Sequence, residues 1–343
     1  MRISVNILLW PLSVLYGSIA LLRRLFYEVF GLRKEGKLPS LVIGNLTVGG
    51  TGKTPMVMFV ANLLRDTFSM AVLSRGYGRN TKGYLEINQF SEVTEVGDEP
   101  FEIFENLESV PVVVCENRLQ GIENISNNFK EVNLVLLDDG FQHLPLKAKA
   151  YLLLCNYNDP FYSDWVMPAG RLREFAFSAK NTDIIVVSKC PSELKEAEAN
   201  AIKARLEKYS ANVFFASYQM STPVHIYDDT FNLAQGEKAI LVTGVANGKA
   251  VKKQLKGYAV EKHFDYADHK AFDASNIKEW IGECMLLNVH NIVVTRKDAV
   301  KIHQIIKLNG IDKLGISFYE IHTEVVILFN QEKQFKNSLI NLI

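Results

Sequence analysis

A glycine-rich loop between an apolar run and a helical run limits what this chain can fold into. Residues 44–55 read GNLTVGGTGKTP, after the apolar run 41–43 and before the helix-like run 56–64. The phosphate-binding pattern G-x-x-x-x-G-K-[ST] closes here on Gly52, Lys53 and Thr54, with Thr47 in place of its first glycine. Gly49, Gly50 and Gly52 permit the backbone angles that aim amide N–H groups at phosphate oxygens. The N-terminus of the following helix adds a favourable field for an anion. Pro55 suits the first helical turn, where its missing N–H costs little. The expectation is that Thr47, Val48, Gly49, Gly50, Thr51 and Gly52 wrap a nucleotide's phosphates. Lys53 then reaches the β- and γ-phosphates, and the Thr54 hydroxyl meets Mg²⁺. Thr47 implies that the loop's entry needs no positive φ.

Short apolar runs alternate with amphipathic ones along most of the chain. Strands are expected at 41–43, 70–74, 110–114, 134–137, 151–155 and 184–188, and helices at 56–64 and 193–209. This alternation predicts a doubly wound, largely parallel α/β sheet. Residues 212–229 carry little helical periodicity and read as an inter-domain connection. A second alternation follows: strands at 239–243, 292–295 and 318–320, helical runs at 251–258 and 301–308, and a helical tail from Glu332. The expected organisation is an N-terminal helix over 1–30, a phosphate-loop domain over 31–215, a linker over 216–235 and a smaller α/β domain over 236–343. Thirty-eight basic residues against thirty-eight acidic ones leave no global field to attract nucleic acid. Cys115, Cys155, Cys190 and Cys284 are scattered, form no CxxC, and read as buried reduced thiols.

The run LVLLDDG at 134–140 is an apolar strand ending in two carboxylates. Beside a phosphate loop, such a strand delivers an acid to Mg²⁺, which makes Asp138 and Asp139 the candidate metal residues. A GTPase switch requires D-x-x-G on this strand and [NT]-K-x-D for guanine. Ser188-Lys189-Cys190-Pro191 lacks the aspartate, and Thr295-Arg296-Lys297-Asp298 has the wrong spacing, so ATP is the expected nucleotide. For activating an acceptor hydroxyl, Asp98 on a tight GDEP turn and His269 in the second domain are the candidates.

From Ile3 to Leu22 the sequence has twenty residues without a charge, about 30 Å as a helix. Arg23, Arg24, Arg33, Lys34 and Lys37 follow. Asn6, Pro11 and Ser13 leave spanning and interfacial attachment both open. In either case the basic flank places the rest of the chain on the cytoplasmic side and favours anionic headgroups.

Several motifs in fixed order resemble the lipid A 4′-kinase (tetraacyldisaccharide 4′-kinase) family. They are PLSVLYG (11–17), GNLTVGGTGKTP (44–55), LSRGYGR (73–79), VGDEP (96–100), LDDGFQH (137–143), MPAGRLRE (167–174) and the pair Asp268-His269. The family also carries Ser or Thr where Thr47 stands. The resemblance implies a P-loop NTPase-like fold with a membrane-associated N-terminal helix. The implied reaction moves the γ-phosphate of ATP, with Mg²⁺, to the 4′-hydroxyl of a tetraacyl glucosamine disaccharide 1-phosphate. This yields lipid IVA at the cytoplasmic face of the bacterial inner membrane. It implies no protein partner. By motif position Asp98 is the base, His269 assists it, and Gln142 and His143 lie near nucleotide and acceptor. Arg75, Arg79, Arg171 and Arg173 are candidates for substrate phosphate or transition-state charge. Departures fall at Met167, Arg171, Phe175 and Lys270, and in TGVANGK and TRKD; they touch the shape of the pockets. The alternatives are a membrane-attached P-loop kinase or ATPase with a different acceptor, and a kinase of soluble metabolites.

Overall fold

Nine strands in the order β15-β8-β7-β6-β1-β5-β2-β4-β3 form the main sheet, and six in the order β10-β9-β14-β13-β11-β12 form a second. In chain order they are β1 (Ser40–Asn45), β2 (Met70–Ser74), β3 (Leu85–Glu86), β4 (Val112–Val114), β5 (Leu134–Asp138), β6 (Ala150–Asn156), β7 (Ile184–Cys190), β8 (Asn212–Met220), β9 (Val224–His225), β10 (Asp228–Asn232), β11 (Lys238–Thr243), β12 (Ala259–Asp265), β13 (Asn291–Thr295), β14 (Ser317–Ile321) and β15 (Thr323–Ile327). The helices are α1 (Trp10–Val29), α2 (Lys53–Leu64), α3 (Val93–Val96), α4 (Asp98–Asn106), α5 (Arg118–Asn128), α6 (Glu196–Leu206), α7 (Gly248–Gln254), α8 (Ala274–Leu287), α9 (Arg296–Leu308) and α10 (Glu332–Leu342). This computed structural model describes residues 9–245, 248–267, 270–308 and 315–343.

The central strands of the main sheet are buried on both faces, which is why they read as unbroken apolar runs. On β1, Val42 enters one core with Leu137 and Leu153, while Leu41 and Ile43 enter the opposite one with Leu136 and Val60. All pairs from β8 to β4 are parallel, and β3 runs antiparallel to β4. The register places Ile43 of β1 beside Asp138 of β5. The glycine loop and the acidic pair therefore leave the same end of adjacent strands, where ligands bind in sheets of this kind.

The chain divides into Met1–Tyr218 with Val325–Ile343 as one unit, and Gln219–Glu324 as the other. This corrects the expected boundaries. Residues 325–343 return to the first unit, where Phe335 lies against Phe59 and Phe214. The expected linker is structured as well: β8 buries Val213, Phe214, Phe215 and Ala216, and β9 and β10 join the second sheet. In that second unit β11, β12, β13 and β14 are parallel, and Trp280 anchors the core under α8.

Helix α1 does not coincide with the charge-free run, because it continues through Arg23 and Arg24 to Val29. It packs by its small and polar side. Ser13 Oγ accepts the Ala169 N–H at 2.8 Å. Gly17 lies under the Phe175 ring, so close that a Cβ would sit 2.6 Å from Cζ. Arg24 donates from Nε to Glu174 at 2.8 Å, in a pair whose side chains are 6% and 10% exposed. Leu12, Leu15, Ile19, Leu22 and Phe26 point outward. Among the described residues, no helix is long and apolar enough to cross a membrane.

Candidate active site

The loop is built as its sequence requires. Gly49 and Gly52 have φ of 103° and 85°, and Gly52 caps α2, which starts at Lys53. Gly50 keeps a negative-side φ, so only two of the three glycines are used for backbone conformation. Thr47 is likewise outside the left-handed region. It bridges Leu172 in antiparallel fashion, while Val48 N–H donates to Arg171 O and Arg173 N–H to Leu46 O, each at 2.8 Å. An extended entry paired to residues 171–173 explains why threonine serves there. Within the turn, Asn45 Nδ2 donates to Thr51 Oγ1 at 2.9 Å.

The two acids differ sharply. Asp138 is buried at 2% exposure and accepts Ser74 Oγ on Oδ2 at 3.0 Å, whereas its Oδ1 is buried without a partner. Burial first, then the charges of Glu99 and Asp139, push its pKa up to about 7 against the pull of Lys53 and Ser74. Asp139, at φ 50°, lies 3.6 Å from Lys53 Nζ and 3.1 Å from Arg173 Nη1. A divalent cation fits this donor set. The unpartnered oxygen is available to it, its charge would favour the ionised carboxylate, and Thr54 adds a hydroxyl from the first turn of α2. Among the described residues no group of three or more His, Cys, Asp or Glu forms a self-sufficient metal site. That suits Mg²⁺, which takes one or two carboxylates and completes its shell with phosphates and water.

Gln142 joins the cluster, donating from Nε2 to Asn45 O at 2.9 Å and accepting from Arg173 on Oε1 at 3.0 Å. The His143 pKa is lowered to about 4 by burial and then by Arg118, Arg75 and Arg23, so the imidazole is neutral at physiological pH. Asp98, read as part of a tight turn, is instead the first residue of α4 after Gly97 at φ 95°. A Cβ on Gly97 would sit 2.9 Å from Tyr77 O, so this turn packs against the 73–79 segment.

A family model described as tetraacyldisaccharide-1-P 4′-kinase matches residues 5–343. The chain belongs to that family. A tetraacyldisaccharide 4′-kinase of Cytophaga hutchinsonii is 34% identical over 336 residues, covering 96% of this chain and 94% of that protein. One from Flavobacterium psychrophilum is 34% identical over 342 residues, covering 98% and 96%. The crystal structure of the "apo" form of LpxK from Aquifex aeolicus in complex with ATP aligns with TM-score 0.75 and 26% identity, over 97% of this chain and 98% of that one.

Within this tetraacyldisaccharide 4′-kinase family member, the motif residues are not all gathered at the loop. Lys53 and Arg173 both meet Asp139, Arg173 also meets Gln142, and Asp138 precedes Asp139 in the chain. Arg75 acts electrostatically on Arg118 and His143. Arg79 is instead held by Glu116 and the Gly83 carbonyl, each at 2.6 Å, with its side chain 2% exposed. Arg171 pairs with Asp159 at 2.9 Å and Asp164 at 3.1 Å. His269 lies outside the described residues. The sequence reading passed over Ser74, which fixes Asp138, and Arg118, which donates to Asp138 O at 3.2 Å from a buried position. It also passed over Glu174, the partner of Arg24. Arg118 carries no signal of its own, whereas Ser74 and Glu174 stand beside Arg75 and Arg173 inside two of the quoted motifs.

Proposed function

We propose that this chain transfers the γ-phosphate of ATP to the 4′-hydroxyl of a tetraacyl glucosamine disaccharide 1-phosphate. We read its main sheet as P-loop NTPase-like and place the work at the cytoplasmic face of the inner membrane, with the outward apolar side of α1 against the bilayer. The observation that carries this reading is the meeting of Lys53 and Arg173 on Asp139, beside the unpartnered oxygen of Asp138.

Lys53 and Arg173 offer two cations that can leave Asp139 for the triphosphate when it binds. Each then neutralises charge that grows on the transferred group. The loop's amide N–H groups orient the phosphates, and Asp138, Asp139 and Thr54 would hold Mg²⁺. When bound, that ion screens the triphosphate's negative charge. Asp98 takes the proton of the 4′-hydroxyl as the new oxygen–phosphorus bond forms and the bond to the leaving ADP oxygen breaks. His269, by family motif, assists Asp98. Neutral His143 with exposed Arg75 supplies a surface for the acceptor's polar head, while buried Arg118 holds the Asp138 backbone behind them. Asp98→Asn is expected to slow transfer by about 10²–10⁴, the usual scale for a general base. Near-normal rates on the lipid disaccharide would remove that assignment.

The decisive experiment supplies γ-labelled ATP with the tetraacyl disaccharide 1-phosphate and extracts the lipid. Label in the lipid is expected. Label released only as inorganic phosphate, whether or not the lipid is present, would instead make this an ATPase. Transfer to a soluble sugar with α1 deleted would make it a metabolite kinase.

A further inference from the structure

Three consecutive carbonyls of the phosphate loop are each held by a side chain from outside the loop. Lys189 Nζ donates to Gly50 O at 2.6 Å, Ser188 Oγ to Thr51 O at 2.9 Å, and Tyr218 Oη to Gly52 O at 2.9 Å. Ser188 and Lys189 are neighbours at the end of β7, and Tyr218 lies on the adjacent parallel strand β8. Successive side chains of a regular strand point to opposite faces, so two neighbours cannot normally serve one loop. Here the β7–β8 register shifts between Val187 and Cys190, and Lys189 takes φ 59°. Lysine in the left-handed region is uncommon, and the irregularity is what brings both side chains to the loop.

The Tyr218 ring also occupies the space a Cβ on Gly52 would need, 2.0 Å from its Cε2. Glycine at this position is therefore demanded twice, by φ and by the tyrosine. Burial pushes the Tyr218 phenol up, so it remains a donor throughout the working pH range.

A peptide's carbonyl and the next residue's N–H point in opposite directions across one rigid plane. Fixing the Thr51 and Gly52 carbonyls towards β7 and β8 therefore turns the N–H groups of Gly52 and Lys53 away from the sheet. Such preset donors spend no reorganisation when the anion arrives. We propose that Ser188, Lys189 and Tyr218 form a brace that presets the loop for the triphosphate, as positioning residues that do not themselves read the nucleoside. The Ser188-Lys189 pair that fails as a guanine motif thereby acquires a role on the loop itself. The proposal rests on the reading that a nucleotide occupies the loop.

The test compares Ser188→Ala, Tyr218→Phe, Lys189→Met and Lys189→Arg in the full chain. It measures kcat, KM for ATP, competitive inhibition by inorganic tripolyphosphate, and thermal unfolding. Losing a neutral donor should raise the ATP KM about 3- to 10-fold, and Lys189→Met about 10- to 100-fold, with Lys189→Arg recovering most of it. Turnover should change less than about 3-fold, the pattern of lost uniform binding. Tripolyphosphate Ki should rise in step with KM, because the brace acts on the phosphates. Tyr218→Phe keeps the ring and so separates the hydrogen bond from packing. An ATP KM that rises while tripolyphosphate binding stays unchanged overturns the brace in favour of nucleoside contact. An unchanged KM in all the variants overturns it outright. Lys53→Ala tells the two levels apart. If it loses ATP while the brace variants bind normally, only the brace fails. If it keeps full ATP affinity and turnover, the nucleotide reading fails and the brace with it.

Discussion

Helices α1 and α2 belong to the same unit and are both rich in apolar residues, yet they bury opposite kinds of side chain. Helix α2 buries Met56, Val57, Val60, Ala61 and Leu64 against the main sheet. Helix α1 buries Ser13, Gly17 and Arg24 and leaves Leu15 and Leu22 about 60% exposed, at 59% and 64%. Each large apolar side chain moved out of water contributes about 1.5–3 kcal/mol. In α2 the fold itself collects that energy. In α1 the large apolar side chains stay exposed, while a buried ion pair and two small residues hold the helix to the 169–175 segment. Apolar content therefore does not say which way a helix faces; what decides is where its small and charged residues find partners.

The largest effect that separates the two helices is chemical. Lys53→Ala at the first residue of α2 is expected to lower transfer by more than about 10³-fold while leaving vesicle binding intact. Loss of vesicle binding in that variant would tie the two helices to one function. Next, Leu64→Ala in α2 should cost about 2–5 kcal/mol of stability, measured by denaturant unfolding. Leu15→Glu in α1 should leave unfolding unchanged and weaken sedimentation with anionic vesicles about 10- to 100-fold, the loss expected for one large apolar contact. If Leu15→Glu instead unfolds the protein as Leu64→Ala does, the outward face of α1 is a core face and the contrast fails. An effect of comparable size is expected of Gly17→Ala, whose added Cβ must displace the Phe175 ring, at about 1–3 kcal/mol. That variant should loosen α1 alone, seen as faster amide exchange along α1 with α2 unaffected.

Legibility followed the range of the interactions. Strand β2, the start of α10 and the first turn of α2 around Pro55 were readable because apolar runs, glycines and helix starts are local signals. Strand β8 was misread as a connection, since Asn212, Tyr218 and Gln219 mask the five buried residues from Val213 to Ser217. In the site, the meeting of Lys53 with the acidic end of β5 at Asp139 was legible from motif and spacing. The four arginines were not separable by any local feature. Arg173 meets Asp139, Arg171 meets Asp159 and Asp164, Arg79 meets Glu116, and Arg75 acts on Arg118 and His143.

The amino-acid sequence by itself determined the strand–loop–helix at residues 40–64, the acidic end of β5 and the kinase family, because each rests on residues adjacent in the chain. Tertiary structure alone decided which side of α1 faces inward, that residues 325–343 return to the first unit, and that Ser188, Lys189 and Tyr218 hold the loop's carbonyls. Those outcomes depend on partners more than a hundred residues away, and only the pairing of strands brings such partners within hydrogen-bond reach.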